Sequence, residues 1–109
     1  MGHEERNFGI MTTEALELRH LRYFVAAVEH GSFRKASVAL RVQESAISRR
    51  IRDLESHLGV AVFKRCSWGV QLTSAGERFL PRAKRALRHV QEGAGDATVV
   101  AHGREGRIR

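Results

Sequence analysis

Several residue types are scarce in this chain of 109 residues, and each scarcity excludes a class of protein. The single cysteine, Cys66, cannot form a disulfide within the chain, which fits a protein of the reducing cytoplasm. No apolar run is long enough to span a bilayer, and the N-terminus has no apolar stretch followed by a small-residue cleavage site. We therefore predict a cytoplasmic protein with no membrane partner and no secretory signal.

The residues needed for catalysis or metal binding are present but not grouped. The six histidines are scattered with no close pair at metal-ligand spacing, and Cys66 has no second cysteine as a partner. No glycine-rich phosphate loop is present. The sequence therefore predicts no enzyme activity, no catalytic residue, no metal site and no cofactor.

Charge, in contrast, is abundant, mostly positive and unevenly placed. The net charge is +7, from 19 basic and 12 acidic residues. Residues 1–17 hold one arginine and four glutamates, whereas residues 18–72 hold ten basic and four acidic residues. A basic small domain indicates a nucleic acid or an anionic membrane surface as its partner.

Apolar residues at helical spacing predict three helices in the first part of the chain. The first covers Leu18–His30; Gly31 ends it, and the hydroxyl of Ser32 can cap the second helix. The second helix is short and ends near Arg41. The third follows a tight turn and is closed by Gly59, which suits the left-handed conformation found at helix ends.

A hairpin and a long helix are predicted next. The segments Val60–Arg65 and Val70–Thr73 are short and partly alternating, with a turn that contains glycine between them, which is typical of two antiparallel strands. The fourth helix is capped by Thr73 or Ser74. Pro81 is expected to bend its first turns, and Gly103 is expected to stop it.

The order of the first three helices is informative about function. Two helices joined by a tight turn form a helix-turn-helix, whose second helix can lie in the major groove of DNA. The polar side chains that share one face of that helix, three or four residues apart, are Ser45, Ser48, Arg49 and Arg52. Hydroxyl and guanidinium groups can bind base edges and phosphates. An ordinary solvated face is the alternative, and the preceding helix and turn favour groove binding over it.

Several short runs of residues match one known family in order and spacing. They are Leu18-Arg19-His20-Leu21-Arg22-Tyr23-Phe24, Gly31-Ser32-Phe33, Ser45-Ala46-Ile47-Ser48-Arg49-Arg50-Ile51, Leu54-Glu55, Leu58-Gly59-Val60, Phe63-Lys64-Arg65, Gly69-Val70-Gln71-Leu72-Thr73 and Ala75-Gly76. These runs resemble the DNA-binding part of LysR-type transcriptional regulators, over about Glu17 to Val90.

The resemblance implies a mostly α fold: a winged helix-turn-helix of three helices and a β-hairpin wing, followed by a long dimerisation helix. It also implies that the chain binds double-stranded DNA at interrupted inverted repeats, as a homodimer or, in a full-length form, as a tetramer. The linker helices of this family pair antiparallel. A second domain that senses an effector normally follows, and we expect no effector site in the present sequence.

The predicted organisation has four parts. These are a flexible extension over residues 1–16, the DNA-binding domain over 17–73, the linker and dimerisation helix over 74–102, and a stub of the linker to an absent effector domain over 103–109. The predicted DNA-binding residues are Ser32, Arg34, Glu44, Ser45, Ser48, Arg49, Arg52, Lys64 and Arg65. The predicted dimerisation residues are Phe79, Leu80, Ala83, Leu87 and Val90. For Arg65 we favour a phosphate contact over a bridge to Glu55 or Asp53.

Three residues depart from the family's pattern. The family commonly has glutamine at Glu44, and a carboxylate there either accepts from cytosine N4 or favours the positive start of the helix. Trp68 stands near the place where the wing usually carries a basic residue, and we expect the indole to pack against the wing's own backbone. Ser37 replaces a small apolar residue and is expected to bond back to its own helix.

A second function fits the same sequence: an interaction protein that forms inactive heterodimers with a full-length regulator through Ala75–Val90. A basic amphipathic helix on a membrane is disfavoured by the bend expected at Pro81. A continuing reading frame downstream would indicate a trimmed regulator, whereas a stop codon would indicate a stand-alone protein or a gene remnant.

Overall fold

The computed structural model describes residues 16–107, with side chains described through residue 102. Within those residues the elements are α1 (Leu18–His30), α2 (Phe33–Leu40), α3 (Glu44–Leu58), β1 (Phe63–Cys66), β2 (Gly69–Leu72) and α4 (Ser74–Arg107). The prediction of a mostly α winged helix-turn-helix with a long following helix is confirmed. The predicted extension over residues 1–16 lies outside the described residues except for Leu16, which packs against the core.

Local hydrogen bonds end α1 and begin α2 at the predicted residues. Gly31 adopts a left-handed conformation with φ of 82°, and its N–H donates to the last turn of α1. The hydroxyl of Ser32 accepts the N–H of Lys35 at 3.0 Å, which satisfies one of the unpaired amides at the start of α2. The Ser37 hydroxyl donates to the Arg34 carbonyl at 2.7 Å, so the expected bond back to its own helix is confirmed.

The core lies between the first three helices and the hairpin, beneath the first turns of α4. Its largest fully buried side chains are Phe24, Ile47, Leu54 and Val62. The ring centroid of Phe24, on α1, is 5.3 Å from those of both Phe63 in β1 and Phe79 in α4, which is a favourable aromatic separation. One side chain therefore joins the first helix, the hairpin and the last helix.

The structure corrects the predicted bounds of both strands: β1 has four residues instead of six, and β2 keeps four residues but starts and ends one position earlier. β1 begins at Phe63 and not at Val60, and β2 ends one residue before Thr73. The carboxylate of Glu55, in the last turns of α3, accepts the N–H groups of Val62 at 2.8 Å and Phe63 at 3.3 Å. Because Glu55 takes the Val62 amide, Val62 is bonded to the segment after β2 only through its carbonyl, which accepts the N–H of Thr73 at 3.0 Å, and β1 begins at the next residue.

The hairpin is held against the loop between α1 and α2. In its antiparallel register Arg65 pairs with Val70 and Cys66 pairs with Gly69. The N–H of Val70 donates to the Gly31 carbonyl at 3.1 Å. Gly69 has φ of 148°, and a Cβ atom there would overlap the same carbonyl, so this approach requires glycine.

Thr73, and not Ser74, caps the start of α4. The Thr73 hydroxyl accepts the N–H of Gly76 at 3.0 Å and donates to the Ala61 carbonyl at 2.7 Å. A Cβ atom at Gly76 would overlap the Val62 carbonyl. The first turn of α4 therefore lies directly on the segment that precedes β1.

α4 is longer than predicted. It continues through Gly103, where a stop was expected, to Arg107, so the predicted helix end is wrong. Glycine disfavours a helix by only about 1 kcal/mol relative to alanine, which is not enough to end one. Pro81 lies inside the helix, where it lacks the N–H that would bond to the preceding turn. Although α4 has 34 residues, neither it nor another described helix is apolar enough to cross a membrane.

Candidate nucleic-acid interface

A tight turn over residues 41–43 joins α2 to α3. Arg41 is left-handed, with φ of 60°, and the N–H of Val42 donates to the Ser37 carbonyl at 3.1 Å. Ile47 and Ile51 bury one face of α3 in the core, so the opposite face is open to solvent. This is the arrangement in which the second helix of a helix-turn-helix can enter a groove of DNA.

A cleft of about 280 Å³ separates the middle of α3 from the wing, which is the β1–β2 hairpin. Ser48 and Arg52 line this helix–wing cleft from α3, and Arg65 lines it from β1. Phe33 and Val70, which also line it, are buried and apolar. The structure therefore brings three of the predicted DNA-binding residues together around an apolar base.

A second cleft, of about 330 Å³, adjoins the first because Arg65 lines both. Three further predicted residues line this wing-tip cleft: Ser32, Arg34 and Glu44. Trp68 lines it from the turn of the hairpin. Glu44 is exposed as the first residue of α3, a position that suits both cytosine recognition and a favourable charge at the helix start.

The other predicted residues of α3 lie on its second flank. Ser45 and Arg49 line a cleft with Arg19 and Tyr23 of α1, away from the wing. α3 therefore presents polar side chains on two flanks, which suits a helix with a groove wall on each side. Lys64 is exposed on β1, at the outer surface of the wing.

The guanidinium of Arg65 contacts an aromatic ring and no carboxylate of the described side chains. Its guanidinium lies 4.9 Å from the centroid of the Phe33 ring, a cation–π contact. The alternative bridge to Glu55 or Asp53 is wrong, because Glu55 accepts backbone amides and an Asp53 oxygen lies 3.8 Å from the buried Nε2 of His20. Among the side chains described through residue 102, no ion pair includes Arg65.

Arg50 forms an ion pair within the chain, with a partner that the sequence did not predict. Its Nη1 donates to Oε1 of Glu17 at 2.8 Å. This bond lowers the pKa of the Glu17 carboxyl below its usual value. The bond is therefore present at neutral pH and is lost as the pH falls through that lowered pKa. Because the partners are 33 positions apart, no local pattern indicates the pair.

The indole of Trp68 does not pack against the wing, so that prediction is wrong. The exposed fraction of this residue is 70%. The reason is that Phe63 and Val70, on the inner face of the hairpin, are already buried in the core. A turn between two strands of four residues then has no apolar surface left to cover an indole.

The predicted dimerisation residues fall into two groups. Ala83 is 1% exposed within the chain's own core, which corrects its assignment to a dimer interface. Phe79 and Leu80 also pack against that core. In contrast, Leu87 is half-buried and Val90 is 48% exposed, on the part of α4 beyond the core. A stripe at helical spacing does not by itself distinguish a chain's own core from a partner's surface.

Three residues at the clefts were missed by sequence reasoning. Lys35 and Ser67 line the wing-tip cleft, and Arg19 lines the cleft on the second flank of α3. The sequence contained a sign of two of them. Lys35 directly follows another basic residue, Arg34, and Ser67 lies in the predicted hairpin turn. Arg19 offered no signal, because α1 approaches α3 only in the folded chain.

Comparisons with known proteins agree with this geometry. The family model for bacterial regulatory helix-turn-helix proteins of the lysR family matches residues 18–77. The HTH-type transcriptional regulator TfdS of Cupriavidus pinatubonensis is 49% identical over 72 residues. That alignment covers 66% of this chain and 24% of TfdS, so the chain corresponds to a minor part of the relative's length.

Two crystal structures of complexes with DNA are similar to this chain. The BenM_DBD/catB site 1 DNA complex has 40% sequence identity and a TM-score of 0.76, over 81% of this chain and 95% of that one. BenM is an HTH-type transcriptional regulator of Acinetobacter baylyi. The CbnR_DBD-DNA complex has 35% identity and a TM-score of 0.74, over 79% of this chain and 99% of that one.

Proposed function

The chain belongs to the lysR family of bacterial regulatory helix-turn-helix proteins, and from that premise we propose that it regulates transcription by binding specific sites on double-stranded DNA. In this proposal α3 lies in the major groove with its outward side chains at base edges. The wing meets the adjacent sugar–phosphate backbone. A cytoplasmic location, where a bacterial protein meets DNA, is part of the same proposal.

The proposal rests on one observation. Cationic and hydroxyl side chains from three elements line two adjoining clefts. α2 contributes Arg34, α3 contributes Ser48 and Arg52, and the wing contributes Arg65. Contacts to phosphates position a protein on the duplex, whereas contacts to base edges specify the sequence. The two clefts therefore bring together cationic groups that can bind phosphates and polar groups that can bind base edges.

A selection of bound sites from a pool of random duplexes tests this function. We expect the pool to converge on one sequence, arranged as an interrupted inverted repeat if the protein binds as a symmetric dimer. A pool that stays random through successive rounds would contradict sequence-specific binding.

Arg49 and Arg65 are expected to have different effects on the selected site. Arg49→Ala should weaken discrimination by about 1–3 kcal/mol at the base pair it contacts, because α3 side chains reach base edges. Arg65→Ala should instead weaken all duplexes to a similar extent, because a phosphate contact carries no sequence information. Competition binding with single-base variants of the selected duplex measures both effects.

Arg49→Lys is the matched control for charge. Lysine keeps the cation but loses the planar fork that binds a guanine edge through two hydrogen bonds. The lysine variant should therefore keep most of its affinity for unrelated duplexes and lose discrimination at the same base pair. If Arg65→Ala changed the preferred base and Arg49→Ala did not, the roles of helix and wing would be reversed.

We also propose that two copies pair antiparallel through α4, which would place two α3 helices at the two halves of a symmetric site. Beyond the residues that pack into the core, α4 carries a stripe with alternate spacings of three and four residues: Leu87, Val90, Ala94, Ala97 and Ala101. Such spacing is typical of helices that pair along their length. Beyond the core, Val90 and the three outer alanines are exposed, and an isolated helix needs packing to persist in water.

Leu87→Asp is expected to convert dimers to monomers. A symmetric interface would bury this carboxylate twice without a partner, so the dimer's affinity should fall by at least roughly 100-fold. Sedimentation of the variant beside the parent measures the change. His89→Asp is the control, because His89 is exposed and lies two residues away, on the opposite side of the helix. Dimers of unchanged affinity in Leu87→Asp would place the interface elsewhere.

A further inference from the structure

We propose that Trp68 is a further DNA-contacting residue, whose indole presses into the minor groove beside the α3 site and selects a deformable base step there. This inference rests on the proposed function, because it places the duplex against the two clefts described above. It assigns a role to a side chain that belongs neither to the core nor to α3.

The exposure of Trp68 is the first observation. It is the chain's single tryptophan, and it is 70% exposed although tryptophan is among the largest apolar side chains. Its neighbours in the hairpin, Phe63 and Val70, are buried on the core side and leave no surface for it. Tryptophan is enriched at interfaces, because its ring supplies a large apolar surface and its N–H group supplies a hydrogen-bond donor.

The position of the indole is the second observation. Trp68 lines the wing-tip cleft together with Arg34 and Glu44, which lie at the starts of α2 and α3. It is therefore on the side of the molecule that faces the duplex when α3 lies in the major groove. With α3 in the major groove, the adjoining hairpin would lie over the sugar–phosphate backbone at the edge of that groove, beyond which the minor groove begins.

The third observation is that the turn is held in place before any DNA binds. The N–H of Val70 donates to Gly31 at 3.1 Å, and the backbone of Gly69 lies against the same carbonyl. The thiol of Cys66 lies 3.6 Å from the Gly69 carbonyl oxygen. Trp68 is therefore presented from a fixed backbone, so that little conformational freedom is lost when it makes a contact.

The chemistry of the indole decides what it can recognise. It has one N–H donor and no charge, so it gains nothing from phosphates or from the negative potential of a narrow A-tract groove, which attracts arginine and lysine. Large apolar side chains bind the minor groove by pressing between base pairs and partly unstacking them. Pyrimidine–purine steps such as TA and CA unstack at the lowest cost. The cations at the rim of the cleft, Arg34, Lys35 and Arg65, can hold the flanking phosphates.

Comparing the sites selected by the parent and by Trp68→Ala tests this inference. The parent should enrich a pyrimidine–purine step at a fixed distance from the bases read by α3, and Trp68→Ala should enrich the same α3 bases without that step. On the parent's selected duplex Trp68→Ala should bind about 10-fold more weakly, by the loss of one aromatic contact. Its salt dependence should match that of the parent, because no cation has been removed.

Two companion variants sharpen the result. Trp68→Phe should keep the step preference, because a phenyl ring can still press between bases. Trp68→Arg should steepen the salt dependence and move the preference toward A-tracts. The emission of the single tryptophan should also change when the parent binds the selected duplex.

The outcomes separate this inference from the proposed function. If the parent bound no duplex, both would be overturned. If the parent bound its site and Trp68→Ala matched it in affinity and step preference, the inference alone would be overturned. An indole emission that did not change on binding would also count against it.

Discussion

Raising the salt concentration from 50 to 200 mM is expected to weaken binding to the selected duplex by about 10³–10⁵-fold. This is the effect of a dimer that neutralises roughly six to ten phosphates, because each contact releases counterions from the DNA. Each protomer then needs roughly three to five cations, because it neutralises half of those phosphates. The two clefts between α3 and the wing supply Arg34, Lys35, Arg52 and Arg65.

Single-residue variants identify which cations contribute to the salt dependence. Arg65→Ala should lower the slope of log affinity against log salt by about one per protomer, because the Arg65 guanidinium has no ion-pair partner among the described side chains. Arg50→Ala is the matched control, since Glu17 already engages that guanidinium. Its slope should stay near that of the parent. Fluorescence anisotropy on a labelled duplex gives each slope, and an affinity that did not vary with salt would contradict binding to the phosphate backbone.

Phe24→Ala is expected to lower the free energy of unfolding by about 3–5 kcal/mol. The side chain is fully buried, and its ring contacts Phe63 of the wing and Phe79 of α4. Removing it leaves a cavity where three elements meet, and a loss of this size is a large share of a small domain's stability. The wing and α4 should therefore lose their fixed positions together.

Val38→Ala is the control for the loss of an apolar side chain. Val38 is 73% exposed on α2, so its truncation should change the free energy of unfolding by no more than about 0.5 kcal/mol. Urea denaturation followed by circular dichroism measures both variants. Similar midpoints for Phe24→Ala and Val38→Ala would mean that the three-ring contact contributes little to stability.

Features that depend on neighbours in the sequence were predictable. Gly31 and Gly59 adopt the left-handed conformation because a helix that ends at an exposed turn favours glycine there. Ser32 caps α2 because its hydroxyl reaches an amide three residues away. The positions of Ser48 and Arg52 on one side of α3 follow from helical spacing alone. The helix-turn-helix and the polar side chains on one side of α3 were therefore accessible from the sequence.

Features that depend on distant residues were not predictable. Thr73 rather than Ser74 caps α4 because the Ala61 carbonyl, twelve positions earlier, accepts its hydroxyl. Ala83 belongs to the core because α4 crosses the folded domain at that point. Trp68 is exposed at the turn because Phe63 and Val70 of the hairpin are already buried in the core. In each case the deciding contact is absent from the local pattern.

The double hydrogen bond at Glu55 has a consequence for how operators can vary. Its carboxylate fixes the first residues of the wing to the last turns of α3, so the two elements proposed to contact DNA are held at a constant distance from each other within one protomer. Within a half-site, the number of base pairs between the α3 contacts and the wing contact should therefore be invariant across all bound sequences. An insertion of one base pair there would turn the second contact by about one tenth of a helical turn, beyond what this rigid unit can follow. In the proposed dimer a different element, α4, sets the separation between half-sites, which can therefore vary independently of the spacing within each half-site.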